Sequence, residues 1–396
     1  MEHIRDHLKR FRRSQQSRKR RQSSPPALPS LLDERPRPLT AIGPSPEATA
    51  NSGLFQSLPP EIRRHVLVEA FGERTLHLDL RLEHPLEKSR KMDSERPKRH
   101  ANAQLFDPSL RDFTRPLEWT WWSSVCHRCS PSRNFHRRPP GVGLRSEEPA
   151  LDCCRDPSEF LSHSYELYPG SLPEKCFVGV LGWVLTCRRA YIEGIDVLYS
   201  TNRFHVAHAG LAICLPRLLP PRHVASINEV ELLWNLSIPS VAHFLRNSDN
   251  KDELRDSDRL AMLAHLPQSF PNLRYLYLSI VDGLRTLGPW AIGGREAYEA
   301  TEEVLRAVDA VVKRMSRLQE CRVALPSTMY STRKLVEKGR DIAWRYADHL
   351  EPEALWRTIP AADIAADVAN NNQFICGYWI VHGRQDLRTP PTTEAF

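Results

Sequence analysis

The sequence lacks any apolar run long enough to cross a membrane. A membrane-spanning helix requires about 20 consecutive apolar residues, and even a run of about 18 is missing here. The first residues also lack the apolar segment of a secretory signal peptide. We therefore expect a chain located in the cytoplasm or nucleus, with no membrane partner and with its nine cysteines as reduced thiols.

The sequence also lacks the motifs that mark common enzyme families. It contains no phosphate-binding Walker loop, no GxSxG nucleophile elbow, no dinucleotide fingerprint and no HExxH zinc motif. We therefore predict no catalytic residue, no cofactor and no enzymatic activity. Glycine is scarce too, with 17 glycines against 32 prolines, and this composition favours long irregular connections.

The chain has no excess of positive charge after residue 22. Residues 1–22 hold nine Lys or Arg and two acidic residues, which accounts for the whole net charge of +7. The rest carries 46 basic and 46 acidic side chains, so the body lacks the basic surface that nucleic acids require. Within the tail, the cluster Arg18, Lys19, Arg20 and Arg21 predicts a nuclear import signal. The alternative is a solvated end without a specific role.

Hydrophobic periodicity divides the chain into a tail, one domain and a second short tail. Residues 1–50 have no periodicity and are rich in Arg, Ser, Gln and Pro, so we predict that they are disordered. Residues 51–385 are predicted to form a single α/β domain with an irregular insertion at about 81–175. Residues 386–396 are expected to fray.

The domain is predicted to begin with a helix from Pro59 to Phe71. Ser57 is its expected N-cap, and Ile62 and Val66 belong to an apolar stripe at helical spacing. Gly72 is expected to end it.

The stretch Val180–Val206 is predicted to form a second, long helix that leads into a strand through a tight connection at Ser200-Thr201-Asn202. Six residues share one face of this continuous helix at steps of three or four, namely Val180, Val184, Cys187, Tyr191, Ile195 and Leu198. We expect this face to receive the helix from Pro59 to Phe71. Cys187 is then a core thiol, and Arg188 and Arg189 are surface residues able to pair with Glu193.

Alternating apolar residues predict strands between further helices. Strands are predicted at Thr75–Leu80, Val230–Leu236, Tyr275–Ile280, Glu320–Leu325 and Phe374–His382, and helices at Leu211–Leu219, Arg295–Leu318 and Arg333–Leu350. This alternation predicts parallel strands joined by crossover helices. The segment PNLRYLYLSI resembles a leucine-rich-repeat strand, although the step of roughly 45 residues exceeds the usual 20 to 29. The predicted class is α+β or α/β, with an irregular leucine-rich-repeat-like body.

The insertion carries the candidate metal site of the sequence. Cys126 and Cys129 have the CxxC spacing with which two thiolates bind one zinc ion, and His127, His136, Cys153 and Cys154 follow. Because the last two cysteines are adjacent and do not form a second CxxC pair, buried apolar thiols beside the tryptophans are the favoured interpretation. We assign no metal ligand, and a zinc-bound insertion stays open as the alternative.

Several motifs resemble known families. The start Leu58-Pro59-Pro60-Glu61-Ile62 is similar to the opening of F-box domains, and Leu181 to Tyr199 resembles their later part. More closely, the layout resembles a fungal family known only as a domain of unknown function. The resemblance rests on an LPxEIR start, a TCRxxYxEgxxxLYsxNxF core (Thr186 to Phe204), an LRxLxLxI strand, WWSSVCHR (Trp121 to Arg128) and GYWIxxG (Gly377 to Gly383).

The resemblance implies a function in protein binding. In F-box domains the leucine-proline turn opens a helical module that docks on the Skp adaptor of a ubiquitin ligase. It therefore implies a non-enzymatic interaction or scaffold protein, with an F-box-like start and with Leu58, Pro59, Ile62 and Val66 as partner-binding residues. The alternative is a nuclear or nucleic-acid-associated protein that uses the Arg-rich tail, with or without a zinc-bound insertion.

Overall fold

The structure is a computed structural model, and it describes part of the chain. The described residues are 26–31, 53–85, 111–126, 149, 178–235, 261–281, 295–326, 329–330, 333–334, 344–345, 354–359 and 377–383.

A nine-stranded sheet, ordered β2-β1-β3-β4-β5-β6-β9-β8-β7, forms the centre of the fold. Its strands are β1 (Thr75–Glu83), β2 (Glu118–Val125), β3 (Arg203–Val206), β4 (Glu229–Asn235), β5 (Tyr275–Val281), β6 (Glu320–Leu325), β7 (Trp344–Arg345), β8 (Ala354–Thr358) and β9 (Gly377–His382). From β1 to β9 across the middle, neighbouring strands are parallel. Antiparallel strands flank them at both ends.

The described helices precede or connect these strands. They are α1 (Gly53–Ser57), α2 (Pro60–Phe71), α3 (Leu181–Val184), α4 (Arg188–Ser200), α5 (Ala209–Leu218), α6 (Pro221–Ser226), α7 (Leu266–Ser269) and α8 (Arg295–Arg314), with a 3₁₀ turn at Ala261–His265. The mixed α/β class and the parallel strands between helices confirm the predicted fold class.

The strand order places the connecting helices on one face of the sheet. Each step from β1 through β3, β4, β5 and β6 to β9 moves in the same direction, and parallel crossovers are right-handed in nearly all proteins. The main core accordingly joins Leu211 of α5, Leu266 of α7 and Val308 of α8 to Leu232 and Leu278 of the strands. Burial of these aliphatic side chains, each worth about 1.5–3 kcal/mol, holds the helix layer to the sheet.

Asparagine side chains connect successive helix–strand units. Asn202, directly before β3, donates from its amide nitrogen to the carbonyl of Phe71, the last residue of α2, at 2.9 Å. Asn228, directly before β4, donates to the carbonyl of Ser200, the last residue of α4, at 3.1 Å. Asn272, shortly before β5, donates to Ala225 in the last turn of α6 at 2.7 Å. We call these three residues the asparagine ladder; each satisfies a helix-end carbonyl of the preceding unit.

A cluster of ion pairs and hydrogen bonds connects β8 and β9 to α8. Arg357 of β8 binds Asp309 through two guanidinium nitrogens and Glu302 through the third. The buried hydroxyl of Tyr378 in β9 donates to Asp309 at 2.8 Å, and burial followed by the nearby Asp309 charge raises the Tyr378 pKa well above its usual value. The tyrosine hydroxyl therefore stays a neutral hydrogen-bond donor. Together these contacts hold β8 and β9 against the helix layer.

The predicted continuous helix before Ser200 is wrong, because the chain forms two helices there. The predicted strand after the Ser200-Thr201-Asn202 connection is confirmed as β3. Cys187 has extended backbone between α3 and α4, and its sulfur accepts a hydrogen bond from the Ala190 N–H at 3.3 Å. The thiol therefore caps α4 instead of filling the core. The buried face of α4 consists of Ala190, Gly194 and Val197.

Other predictions of local structure also need correction. Ser57 ends α1, and Pro59 is the N-cap of α2 without a side-chain hydrogen bond. Trp344 and Arg345, predicted to be helical, form β7 because β8 provides a neighbouring strand. A strand of two residues is too short for any periodicity to reveal it.

The described residues of the two irregular regions contact the body. In the N-terminal region predicted to be disordered, residues 26–31 have no helix or strand, yet Leu28 is buried in the main core. The carbonyl of Pro26 accepts a hydrogen bond from the Trp119 indole at 3.0 Å. Within the predicted irregular insertion, Glu118–Val125 is a regular edge strand.

Asn202→Ala should destabilise the fold by about 3 kcal/mol. The buried amide donates to Phe71 and Leu198 and accepts from the Arg74 N–H at 2.9 Å, and each buried group left without its partner costs about 1–3 kcal/mol. Urea unfolding of the full chain should show a lower midpoint with an unchanged m-value.

Asn228→Ala is the matched control for that substitution. It removes the equivalent ladder bond at a half-buried position and should cost about 1 kcal/mol. Equal losses for the two substitutions would contradict the central place given to Asn202.

Candidate protein-binding site

Helix α2 is apolar on two sides. One side carries Leu67 and Phe71, which form a buried cluster with Val197 of α4. The other side carries Ile62 and Val66, one turn apart and each 49% exposed. The predicted packing of α2 against the Val180–Val206 segment is confirmed, whereas the predicted apolar stripe is split between core and surface.

The four residues predicted to bind a partner lie at the start of this helix. Leu58 is half-buried and Pro59 is exposed, and they lead directly into the turn that carries Ile62. The carbonyl of Leu58 accepts a hydrogen bond from the Arg63 guanidinium, which fixes the turn to the helix. Leu58, Pro59, Ile62 and Val66 therefore form one short surface, which we call the α2 surface.

A buried arginine anchors α2 to α4. Arg63, whose side chain is 1% exposed, binds Glu193 with its Nη2 at 2.6 Å and its Nε at 3.0 Å. Arg189 binds the same carboxylate at 3.1 Å, as predicted from its spacing to Glu193. The Arg63 hydrogen bond lowers the pKa of Glu193, desolvation opposes it and the Arg189 bond adds to it.

Helix α3 packs against both α4 and α1. The indole of Trp183 lies over Gly194 of α4, where an added Cβ would be 2.5 Å from Trp183 Cδ1. Trp183 also contacts the ring of Phe55 in α1, with 5.8 Å between ring centroids. Only a glycine at position 194 lets the two helices approach this closely.

Further large apolar side chains of α3, α4 and their connection are exposed. Leu181 is the first residue of α3, Leu185 follows the helix and is 79% exposed, and Ile192 lies on α4. None of these three residues belongs to the apolar face predicted for Val180–Val206. The break at Cys187 turns these residues away from the core, and no sequence signal marks a thiol as a helix cap.

The sheet face opposite the helices carries a buried polar row. His77 of β1, His205 of β3 and Glu231 of β4 are neighbours in register, each at most 3% exposed. His205 Nδ1 lies 3.0 Å from Glu231 Oε2, and the two imidazole centroids are 4.8 Å apart. His205 and Glu231 therefore form a buried hydrogen-bonded pair within the sheet.

The described residues contain no group of three or more His, Cys, Asp or Glu arranged to hold a metal ion. Of the candidate zinc cysteines, Cys126 is half-buried at the end of β2, where its N–H donates to Thr75 at 2.7 Å. Cys129 and the later candidates lie outside the described residues. The predicted import signal, Arg18, Lys19, Arg20 and Arg21, lies outside them as well.

Comparison with protein families gives a match to part of the chain. The sequence model of a family described as Domain of unknown function (DUF7730) matches residues 168–342. The matched stretch contains α3 to β6 and the core motif from Thr186 to Phe204, so over this stretch the chain is similar to a domain of unknown function. No curated protein and no solved structure matches the chain. Among the helices in the described ranges, none has the length and apolar content needed to span a bilayer.

Glu193→Gln should destabilise the chain by about 3 kcal/mol at neutral pH, because it leaves the buried Arg63 without its counter-charge. Since the pKa of Glu193 is lowered in the folded state, the contribution of the carboxylate is complete above the unfolded pKa. It is lost as pH falls through the folded pKa. Urea unfolding between pH 7 and pH 3 should therefore show the wild type and the variant converging in acid.

Glu69→Gln is the control, since Glu69 lies exposed on α2, the helix that carries Arg63. Its loss should change the unfolding free energy by less than about 0.5 kcal/mol. A gap between wild type and Glu193→Gln that persists unchanged at low pH would contradict the assigned role of the carboxylate.

Proposed function

We propose that this chain is a non-enzymatic interaction or scaffold protein that binds a protein partner through the α2 surface. The observation that carries the proposal is the exposure of Ile62 and Val66 on a helix whose opposite side is buried. Large apolar side chains exposed together on a folded surface mark sites of protein association.

The anchoring of α2 supports this assignment energetically. Burying the exposed half of both side chains in an interface is worth about 2 kcal/mol. The contacts of Arg63 with Glu193, and of Leu67 and Phe71 with Val197, hold the helix before any partner arrives. A preformed helix loses little conformational entropy on binding, so more of the contact energy remains as affinity.

The more specific form of the proposal is an F-box-like substrate adaptor that docks on the Skp adaptor. Its support is the LPPEIR start, which forms the turn and first residues of α2. Further support comes from the packing of α2 and α3 against α4, and from the contacts of Phe55 in α1 with Trp183 and Arg63. A helix that binds its partner through apolar residues spaced one turn apart is a recurring mode of protein recognition.

The basic tail supports a nuclear location for the same protein. Its charge is confined to residues 1–22 while the rest of the chain is neutral, and short Lys/Arg clusters are typical of nuclear import signals. We propose that Arg18, Lys19, Arg20 and Arg21 carry this signal.

Ile62→Glu together with Val66→Glu should abolish partner binding, because charges replace the apolar contact at exposed positions that the fold does not need. In a pull-down with purified Skp adaptor, wild-type chain should retain the adaptor and the double variant should lose at least about 100-fold in affinity, which corresponds to roughly 3 kcal/mol. Unfolding midpoints of both proteins should agree.

His65→Glu is the matched control on an exposed position of the same helix, and it should retain the adaptor. If the wild type fails to retain the adaptor while a known F-box protein does, the adaptor version is wrong. Mass spectrometry of proteins captured by wild type but not by the double variant then tests the broader proposal.

Replacing Arg18, Lys19, Arg20 and Arg21 by alanine should remove nuclear accumulation of a fluorescent fusion of the full chain. Replacing the equally charged set Lys9, Arg10, Arg12 and Arg13 should leave it unchanged, because import receptors read a local cluster and not the total charge. Equal effects of both replacements would refute a defined signal.

A further inference from the structure

Strand β2 is the long edge strand of the sheet. It spans eight residues and pairs only with β1 among the described strands. The Cys126 N–H bonds to Thr75, and in an antiparallel ladder hydrogen-bonded and non-bonded pairs alternate. The N–H and C=O groups of Trp121 and Ser123 therefore point away from β1, toward the outside of the sheet.

Within the described residues, the sequence and pairing of this strand show no lysine, proline or bulge that would protect it against pairing. Natural edge strands are commonly blunted by lysine, proline or a bulge, yet EWTWWSSV contains neither lysine nor proline, and its pairing with β1 is continuous from Glu83 to Leu76. Ser123 is exposed and Trp121 is 40% exposed. Both residues with outward-pointing backbone groups in the middle of the strand are thus solvent-exposed.

We propose that β2 pairs antiparallel with β2 of a second copy of this chain, about a two-fold axis beside Trp122, and so joins two sheets into one. An edge strand is its own complement under a two-fold rotation, since each outward N–H of one copy meets an outward C=O of the other. In this register Trp121 lies opposite Ser123 of the second copy, and these pairs exchange the hydrogen bonds.

The side chains fit this register. The two Trp122 residues face each other at a non-hydrogen-bonded position, where cross-strand aromatic pairs are favourable. Glu118, the charged residue of the strand, lies opposite Cys126 of the second copy and far from the second Glu118. The chain beyond residue 22 is electrically neutral, so two bodies do not repel each other.

A two-fold pairing uses the β2 edge of both copies and therefore stops at a dimer. The interface is one strand wide, which places it among small and reversible interfaces. We expect micromolar affinity, so that dimer is the main species at roughly 100 μM and monomer at roughly 1 μM.

Ser123→Pro is the test, measured by analytical ultracentrifugation of the full chain over that concentration range. Proline removes an outward N–H that the monomer does not use in its ladder, and proline is tolerated at such edge positions. We expect this variant to remain monomeric at the highest concentration. Ser123→Ala keeps the N–H and should dimerise like the wild type.

Trp121→Lys provides a second test that does not alter the backbone. The variant places a lysine, the residue that commonly protects natural edge strands against pairing, at an exposed position. The dimer dissociation constant should rise at least tenfold while the unfolding midpoint stays unchanged. A monomeric wild type at roughly 100 μM, open-ended assemblies, or folded variants that dimerise as well as the wild type would each overturn the proposal.

Discussion

The hydrogen bond from a strand-leading asparagine to the preceding helix end is the constraint on which this fold depends. Asn202, Asn228 and Asn272 each donate to a carbonyl in the last turn of a helix from the unit before. A helix end leaves such carbonyls without an intrahelical partner, and burying them unpaired is costly. Satisfying them from the segment that leads into the next strand sets the spacing of the units, so that β3, β4 and β5 follow β1 in chain order.

The hydrogen bond of Asn202 explains how α2 and α4, which are distant in sequence, come to pack together. Asn202 bonds Phe71 although 131 residues separate them, and β3 pairs with β1 in the same place. Once that register is set, α2 must lie beside α4, where Arg63 reaches Glu193. The buried ion pair takes the inner face of α2, and Ile62 and Val66 are left facing out.

The sequence predicted the parts of the fold that periodicity controls. The alternation in β4, β5 and β6 is visible because one face of each strand is uniformly apolar, and the parallel arrangement follows from the helices between them. Burial of Arg63 was not predictable, since a charged residue is expected at the surface unless its partner is known, and Glu193 lies 130 residues away. The exposure of Ile62 was not predictable for the same reason, because the Arg63–Glu193 contact decides which face of α2 is buried. The cap made by Cys187 was hidden because an apolar thiol fits a helical stripe equally well.

The two surfaces proposed for association belong to the same end of the sheet. Helix α2 leads directly into β1, and β1 is paired with the edge strand β2. A dimer formed through β2 presents two α2 surfaces related by the same two-fold axis. A partner with two binding sites then meets the second surface at a high effective concentration, and avidity compensates for the small apolar area that each helix offers. The buried polar row on His77, His205 and Glu231 takes no part in either contact, because its side chains are enclosed within the body. The proposed association at this end thus draws on surface groups that folding leaves unused, while the buried polar and charged groups stabilise the fold itself.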